Sequence, residues 1–269
     1  MVKARAWILQ KNFHGFPTMD NFKLVEEDLP ELQDGDILIE ALFLTVDPYM
    51  RGFPNKVGRP LVGEQVARLS AYYGFLEKCR PRRGDVVLVN AAAGAVGNVV
   101  GQIAKLKGCT VIGSTSTKEK CDWLKELGFD HVFNYKETSV AEALQKYAPN
   151  GVDCYFDNVG GEYTYTVLPL MNRFGRVCVC GQISEYNATT KAPGSGVLIS
   201  ILMKELIVSG LIVYTYTPRY HEAITEMAQW IKKGKLKYEE TIRDGFDKLP
   251  ATFIEIFQST AKGKLLVKA

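Results

Sequence analysis

Small residues lodged between an apolar strand and an apolar helix are the first sign of chemistry in this chain. Ala92-Ala93-Gly94-Ala95-Val96-Gly97 follows the short apolar run DVVLVN. It precedes a stretch where Val96, Val99, Val100, Ile103 and Ala104 recur at helical spacing. The six residues match G-x-G-x-x-G in spacing, with Ala92 in place of the first glycine. Small side chains there let the backbone turn tightly and bring a pyrophosphate onto free N–H groups at a helix N-terminus. The same composition would also serve a turn needed only for helix–sheet packing.

The next feature bears on which nucleotide. Where NAD sites place an acid at the end of the second strand, this chain has Gly113-Ser114-Thr115-Ser116-Thr117, followed by Lys118 and Lys120. Cations are disfavoured in the first turn of a helix unless an anion sits nearby. A 2′-phosphate supplies that anion, with the hydroxyls as neutral donors. This favours NADP(H) over NAD(H), against the alternative of a solvated lysine pair. Tyr135, Asn158 and the run Cys180-Gly181-Gln182-Ile183-Ser184 stand at the ends of later strands, on the edge where such sheets bind ligands. Singly each could be loop; their shared placement is the argument.

The elements that must position these residues alternate. DVVLVN, CTVIG, HVFNY, VDCYFD, GRVCVCG and ELIVSGLIV read as strands. KEKCDWLKEL, stopped by Gly128, and SVAEALQKY read as intervening helices. Strand–helix alternation implies parallel βαβ units and a sheet covered on both faces. Residues 1–69 read as β-rich, with DILIEALFLTVDP as a strand, and KGKLLVKA as a last strand. GRVCVCG could pair edge to edge in a dimer.

Net charge of +3 with no dense basic run does not suggest nucleic acid as a partner. No stretch is apolar enough to span a bilayer, and the start lacks a secretory core. Six scattered cysteines without CxxC modules read as reduced thiols of a cytosolic protein. His14, His131 and His221 lie far apart, so no metal site is expected.

DPYMRG, NAAAGAVGNVVGQIAKLKGCTVIG, FNYK, DCYFDNVGGE, CGQISEYN and the final GK-x-x-VKA resemble the zinc-free leukotriene B4 dehydrogenase branch of the medium-chain reductases. The resemblance covers nearly the whole chain. It implies an α/β fold: a GroES-like, β-rich substrate domain (1–69 and 241–269) around a Rossmann-type doubly wound parallel sheet (70–240). It also implies NADPH-dependent reduction of the double bond in α,β-unsaturated ketones and aldehydes, including 15-oxo-prostaglandins, leukotriene B4 12-hydroxy dehydrogenation, and a cytoplasmic homodimer. Carried over by motif, Gly94, Ala95, Val96 and Gly97 face the pyrophosphate and Lys120 the 2′-phosphate. Tyr135, Asn158, the run Cys180, Gly181, Gln182, Ile183, Ser184 to Tyr186, and backbone at Leu211, Ile212 and Val213 complete the NADP(H) site. Tyr49 and Tyr186 line the substrate cleft.

Three departures stand out. Family members carry several dozen further residues between the segments matching GEQVARL and SAYYGFLEKC, so the substrate domain is shortened between Leu69 and Ser70. Ala261 replaces an asparagine that contacts the cofactor, and Met203 a substrate-facing tyrosine. Gly63-Glu64-Gln65 stands where the zinc branch has G-H-E. Enone reduction develops an enolate, so catalysis asks for donors aimed at the carbonyl oxygen. Tyr186 is expected to stabilise that oxygen and Tyr49 to position substrate. The competing roles are a loop tyrosine packed on the cofactor and a domain-core tyrosine. Two other functions fit the same motifs: a quinone reductase of the zeta-crystallin type, and a shortened NADP-binding protein with little or no catalysis.

Overall fold

The structure, a computed structural model, describes residues 2–52, 63–190, 194 and 196–269, without the side chains of 52 and 63–65. Near the start, β1 (Lys3–Leu9) and β2 (Phe22–Asp28) pair antiparallel along their full lengths. The next apolar run departs from expectation. DILIEALFLTVDP is strand only at β3 (Phe43–Thr45), while Ile37 and Ile39 are each 81% exposed. A strand needs a neighbour to take its N–H and C=O groups. Among the described residues β3 pairs only with β11 (Lys264–Lys268), antiparallel, and β11 pairs in parallel with β10 (Glu240–Asp244). No described strand lies alongside 36–42, so that stretch stays irregular.

Helix α1 (Gly63–Tyr73) runs unbroken through Leu69–Ser70 and continues as a wider π-type turn over Gly74–Cys79. Leu69, Tyr73 and Phe75 are fully buried, and the Ser70 hydroxyl donates to the Val66 carbonyl at 2.7 Å. The seam expected between Leu69 and Ser70 therefore lies inside a packed helix.

Six apolar runs form the main sheet: β4 (Val86–Val89), β5 (Thr110–Thr115), β6 (His131–Asn134), β7 (Val152–Asp157), β8 (Met171–Val179) and β9 (Ile207–Gly210). All pair in parallel, in the order β6-β5-β4-β7-β8-β9. Burial on both faces explains why these strands are continuously apolar rather than alternating. Val100, Ile103, Phe156 and Leu211 pack on one face; Ile112, Leu144, Tyr155 and Met171 pack on the other. The covering helices are α2 (Gly97–Leu106), α3 (Lys118–Glu126), α4 (Val140–Tyr147), α5 (Gly161–Val167), α6 (Val197–Lys204) and α7 (Tyr220–Lys232). Strand order reverses between β4 and β7, and open α/β sheets bind ligands in the crevice beyond the carboxyl ends of the strands at such a point. One expectation is corrected. GRVCVCG forms β8, interior between β7 and β9, so its edges are already taken and β9 is the strand left at that side.

Helix α8 (Leu249–Glu255) leads back to β11, whose start clasps the two halves together. Gly263 N–H donates to the Ala93 carbonyl at 2.9 Å, on the glycine-bearing turn. The next residue, Lys264, is 5% exposed and donates to Asp47 Oδ1 at 2.6 Å and to the Val46 carbonyl at 3.2 Å. The Thr45 hydroxyl holds the other Asp47 oxygen at 2.7 Å. Removing one member of such a pair strands a buried charge, at a cost of about 3–5 kcal/mol. Asp47→Asn should therefore lower the urea midpoint by a corresponding amount with an unchanged m-value, read by circular dichroism.

Candidate active site

The chain leaves β4 through Asn90 and Ala91, the latter at φ +43°, a left-handed conformation unusual for a residue with a side chain. The Ala91 carbonyl accepts Gly94 N–H at 2.9 Å. A Cβ on Gly97 would lie 2.6 Å from that carbonyl oxygen and 2.8 Å from Ala92 Cα; one on Gly94 would lie 3.2 Å from the same oxygen. Glycine at both positions lets α2 begin directly against the strand that feeds it. The N–H group of Val96 meets no acceptor among the described residues and stands at the N-terminus of α2, while Gly94 forms a parallel bridge with Gly263. An unmet donor there suits an anion, as a pyrophosphate requires.

The two lysines after β5 part company. Lys118 pairs with Asp122 at 2.7 Å on an exposed face, the solvated arrangement. Lys120 is buried; its Nζ donates to the Ser259 carbonyl, and no carboxylate among the described residues lies in ion-pair range. Burial pulls its ammonium below the ordinary lysine value; Glu119 opposes the shift, and Lys136 adds to it. Thr117 caps α3 by accepting Lys120 N–H at 3.3 Å. Tyr135 projects, 43% exposed, just beyond β6, with its N–H on the Thr115 carbonyl at 3.1 Å. The donor set of Lys120, neighbouring Lys136 and the hydroxyl-bearing turn suits a phosphate monoester, so NADP(H) fits better than NAD(H). The sequence reading passed over Lys136, whose only signal was its place directly after Tyr135 at the end of β6.

At the crevice, loops after β7 and β8 interlock. Asp157 O accepts from Cys180 and Gly181 N–H at 2.8 and 3.1 Å, Asn158 O from Ile183 N–H at 3.3 Å, and Val159 O from Ser184 N–H at 3.1 Å. The Ser184 hydroxyl also donates to Val159 O, at 2.6 Å. Gly160, at φ +71°, lies so close to Gln182 that a Cβ would sit 2.9 Å from its side chain. The Tyr186 hydroxyl accepts Gln182 N–H at 3.3 Å, which leaves its own proton uncommitted in that bond. Leu211 N–H is held by the Val179 carbonyl at 3.0 Å; Leu211 and Val213 are buried and Ile212 is 69% exposed.

Arg51, missed in the sequence reading, joins the two tyrosine-bearing motifs. It donates to Asn187 Oδ1 at 3.2 Å, one residue from Tyr186, and to the Gly15 carbonyl at 3.1 Å. Burial, then Asp47 and Tyr214, push the Tyr49 phenol well above its ordinary pKa, so it stays a neutral donor. Ala261 lies two residues before Gly263, beside the nucleotide turn, while Met203 points outward on α6, 66% exposed.

A family described as zinc-binding dehydrogenase matches residues 95–233, and one described as N-terminal domain of oxidoreductase matches 5–74. The chain is 41% identical to prostaglandin reductase 1 of Rattus norvegicus, with 100% of both chains covered. That alignment runs over 329 positions against a chain of 269 residues, so the relative carries a stretch with no counterpart here. It is 31% identical to the NADP(+)-dependent 2-alkenal reductase of Nicotiana tabacum, covering 99% of this chain and 97% of that one. The structure of CurA from Vibrio vulnificus in complex with NADPH superposes with a TM-score of 0.91 at 33% identity, covering 99% of each chain.

The matching description mentions zinc, but the donor chemistry does not suit it. Among the described residues no three His, Cys, Asp or Glu side chains converge. Five of the six cysteines are buried and Cys180 is half-buried. Cys79 Sγ donates to the Tyr155 carbonyl at 3.8 Å and Cys154 Sγ to the Cys79 carbonyl at 3.6 Å. Burial pushes the Cys109 thiol up to about 12. The sulfurs of Cys79, Cys109 and Cys154 thus rest on main-chain carbonyls, and burial keeps the Cys79 and Cys109 thiols from becoming thiolate ligands. The side chains of Glu64 and Gln65, expected in place of a ligand motif, lie outside the described residues.

Lys120 supplies the test of the nucleotide assignment. Losing a charge-assisted bond to a phosphate costs about 1.5–3 kcal/mol, or about 10- to 100-fold in affinity. Lys120→Ala should weaken NADPH by that factor and leave NADH within about twofold, as read by calorimetric titration of both.

Proposed function

We propose, from the premise that this chain belongs to the zinc-binding dehydrogenase family and within it to the prostaglandin reductases, that it reduces the carbon–carbon double bond of α,β-unsaturated ketones and aldehydes with NADPH. The observation that carries the reading is the setting of Tyr186. Its hydroxyl rests on Gln182 N–H, in a loop tied by hydrogen bonds to Asn158, at the carboxyl edge where the strand order reverses.

The residues divide the work. Gly94, Ala95, Val96 and Gly97 receive the pyrophosphate and Lys120 the 2′-phosphate. Tyr135, Asn158, Cys180 to Tyr186, and Leu211 to Val213 enclose the rest of the cofactor. Bound NADPH would supply a hydride to the β-carbon of the alkene, the negative charge would gather on the carbonyl oxygen as an enolate, and the α-carbon would take a proton from solvent water. Tyr186 donates its hydroxyl proton in a hydrogen bond to that oxygen, and Tyr49 holds the substrate against it. A neutral phenol suits this task because it donates without bringing a charge into the cleft. The substrate unit is 1–69 with 241–269 and the nucleotide unit 70–240. Relatives named for prostaglandin and 2-alkenal reduction favour enone chemistry over quinone reduction. Oxidised eicosanoids, 15-oxo-prostaglandins and leukotriene B4 among them, are the lipid substrates of this reading, and the cytoplasm is its site.

We also propose a homodimer. Strand β9 is an edge of the main sheet, and Ile207 on it is 54% exposed. Beside it, α6 exposes Leu198, Leu202 and Met203 at 81, 69 and 66%. An edge unpaired among the described residues and flanked by an apolar helix is suited to a second copy of the same surface. Among the described residues no helix is long and apolar enough to cross a membrane.

Purified chain should oxidise NADPH on addition of a simple α,β-unsaturated ketone. NADPH binding without enone-dependent oxidation would leave the chain a nucleotide-binding protein and overturn the reductase reading. Tyr186→Phe should lower kcat by about 100-fold, the effect of removing one oxyanion donor, with NADPH affinity nearly unchanged. Light scattering should give twice the chain mass; a single-chain mass would remove the dimer.

A further inference from the structure

Asn90, at the end of β4, lies outside the residues assigned to cofactor or substrate, yet its whole amide is engaged. It is fully buried. Its Nδ2 donates to Tyr155 Oη at 2.6 Å and to Asp157 Oδ1 at 2.7 Å. Its Oδ1 accepts Asn158 N–H at 2.6 Å, and its main-chain carbonyl accepts Asn158 Nδ2 at 3.0 Å. Asp157 Oδ1 also takes the N–H groups of Val159 and Gly160, each at 2.9 Å. The side chain therefore spans the point where the strand order reverses and fixes the start of the loop after β7. That loop holds the next one, since the carbonyls of Asn158 and Val159 accept from Ile183 and Ser184 N–H. From there the chain of bonds reaches Gln182 and Tyr186.

We propose that Asn90 is the positioning residue of this site: through Asn158 and Asp157 it sets both the loop after β7 and the Cys180–Tyr186 run for cofactor binding and catalysis. Only an amide serves. Two donors and one acceptor are needed on one short side chain. A carboxylate there would lose both donors and face the buried Asp157 carboxylate. Alanine would leave Asn158 N–H and the Asp157 oxygen without this partner, in a place water does not reach.

The inference rests on the NADPH reading, so wild-type binding is measured first by NADPH fluorescence titration; absence of binding there would count against that reading and not against Asn90. Asn90→Ala should fold cooperatively, bind NADPH about 10-fold more weakly, and show a lower kcat, as expected for the loss of a buried hydrogen-bonding partner. A merely structural role would shrink the active fraction while leaving the dissociation constant of the folded fraction unchanged, and that result overturns the proposal. Asn90→Asp decides the case even if the alanine variant fails to fold. When protonated, the introduced carboxyl regains a donor towards Asp157; when ionised, it repels that residue. The variant's deficit in NADPH affinity relative to wild type should therefore shrink as pH is lowered and grow as pH is raised. A deficit that does not move with pH, or no deficit at all, overturns it.

Discussion

The crevice where the strand order reverses can exist only if the polar groups that line it are satisfied without water. Asp157 is 1% exposed and, among the described residues, has no cation in ion-pair range; its charge is balanced by directed N–H and O–H donors alone. A carboxylate held this way is costly to move, because every donor would have to be replaced at once. The loops that carry the proposed nicotinamide and substrate residues inherit that rigidity. The turn after β4 and the start of α3 work by the opposite rule: Lys120 has no carboxylate partner and Val96 N–H no acceptor among the described residues, so both would gain from an incoming anion.

Much of this was legible in the chain. Six apolar runs separated by helical periodicity became six parallel strands, because burial on both faces leaves an unbroken apolar signature. The glycine spacing after β4 marked the tight turn into α2, since a side chain at Gly97 would run into the Ala91 carbonyl. The edge was misread: an apolar run looks alike in the middle of a sheet and at its margin, so GRVCVCG could not be told from β9. Reading 37–42 as strand failed for a related reason. Apolar alternation records the capacity to pair, while a strand also needs a partner, which can lie anywhere in the chain. Asn90 and Arg51 left no local trace and Lys136 only its place after Tyr135, since each acts through a residue brought near only by the fold.

The clasp formed by Gly263 and Lys264 ties these parts together. Two successive residues hold the glycine-bearing turn at Ala93 and the tyrosine-bearing segment at Asp47. Ala93 and Asp47 are thus held by neighbouring residues of one C-terminal segment, the first through a main-chain bond from Gly263 and the second through the buried Lys264 side chain, so a shift in one is passed to the other through that segment.

The passage of α1 through Leu69–Ser70 carries a consequence for chain length. A helix turns about 100° with each residue, so adding or removing one would swing every later side chain to another face. Val66 and Leu69 lead into the seam and Tyr73 follows it, all on one helical face and packed into the same apolar cluster. Their phase is shared, and a chain joined out of phase would turn Tyr73 towards water and a polar neighbour inward. A helix at this point tolerates a different length only where the two helical faces meet in register over the sheet beneath.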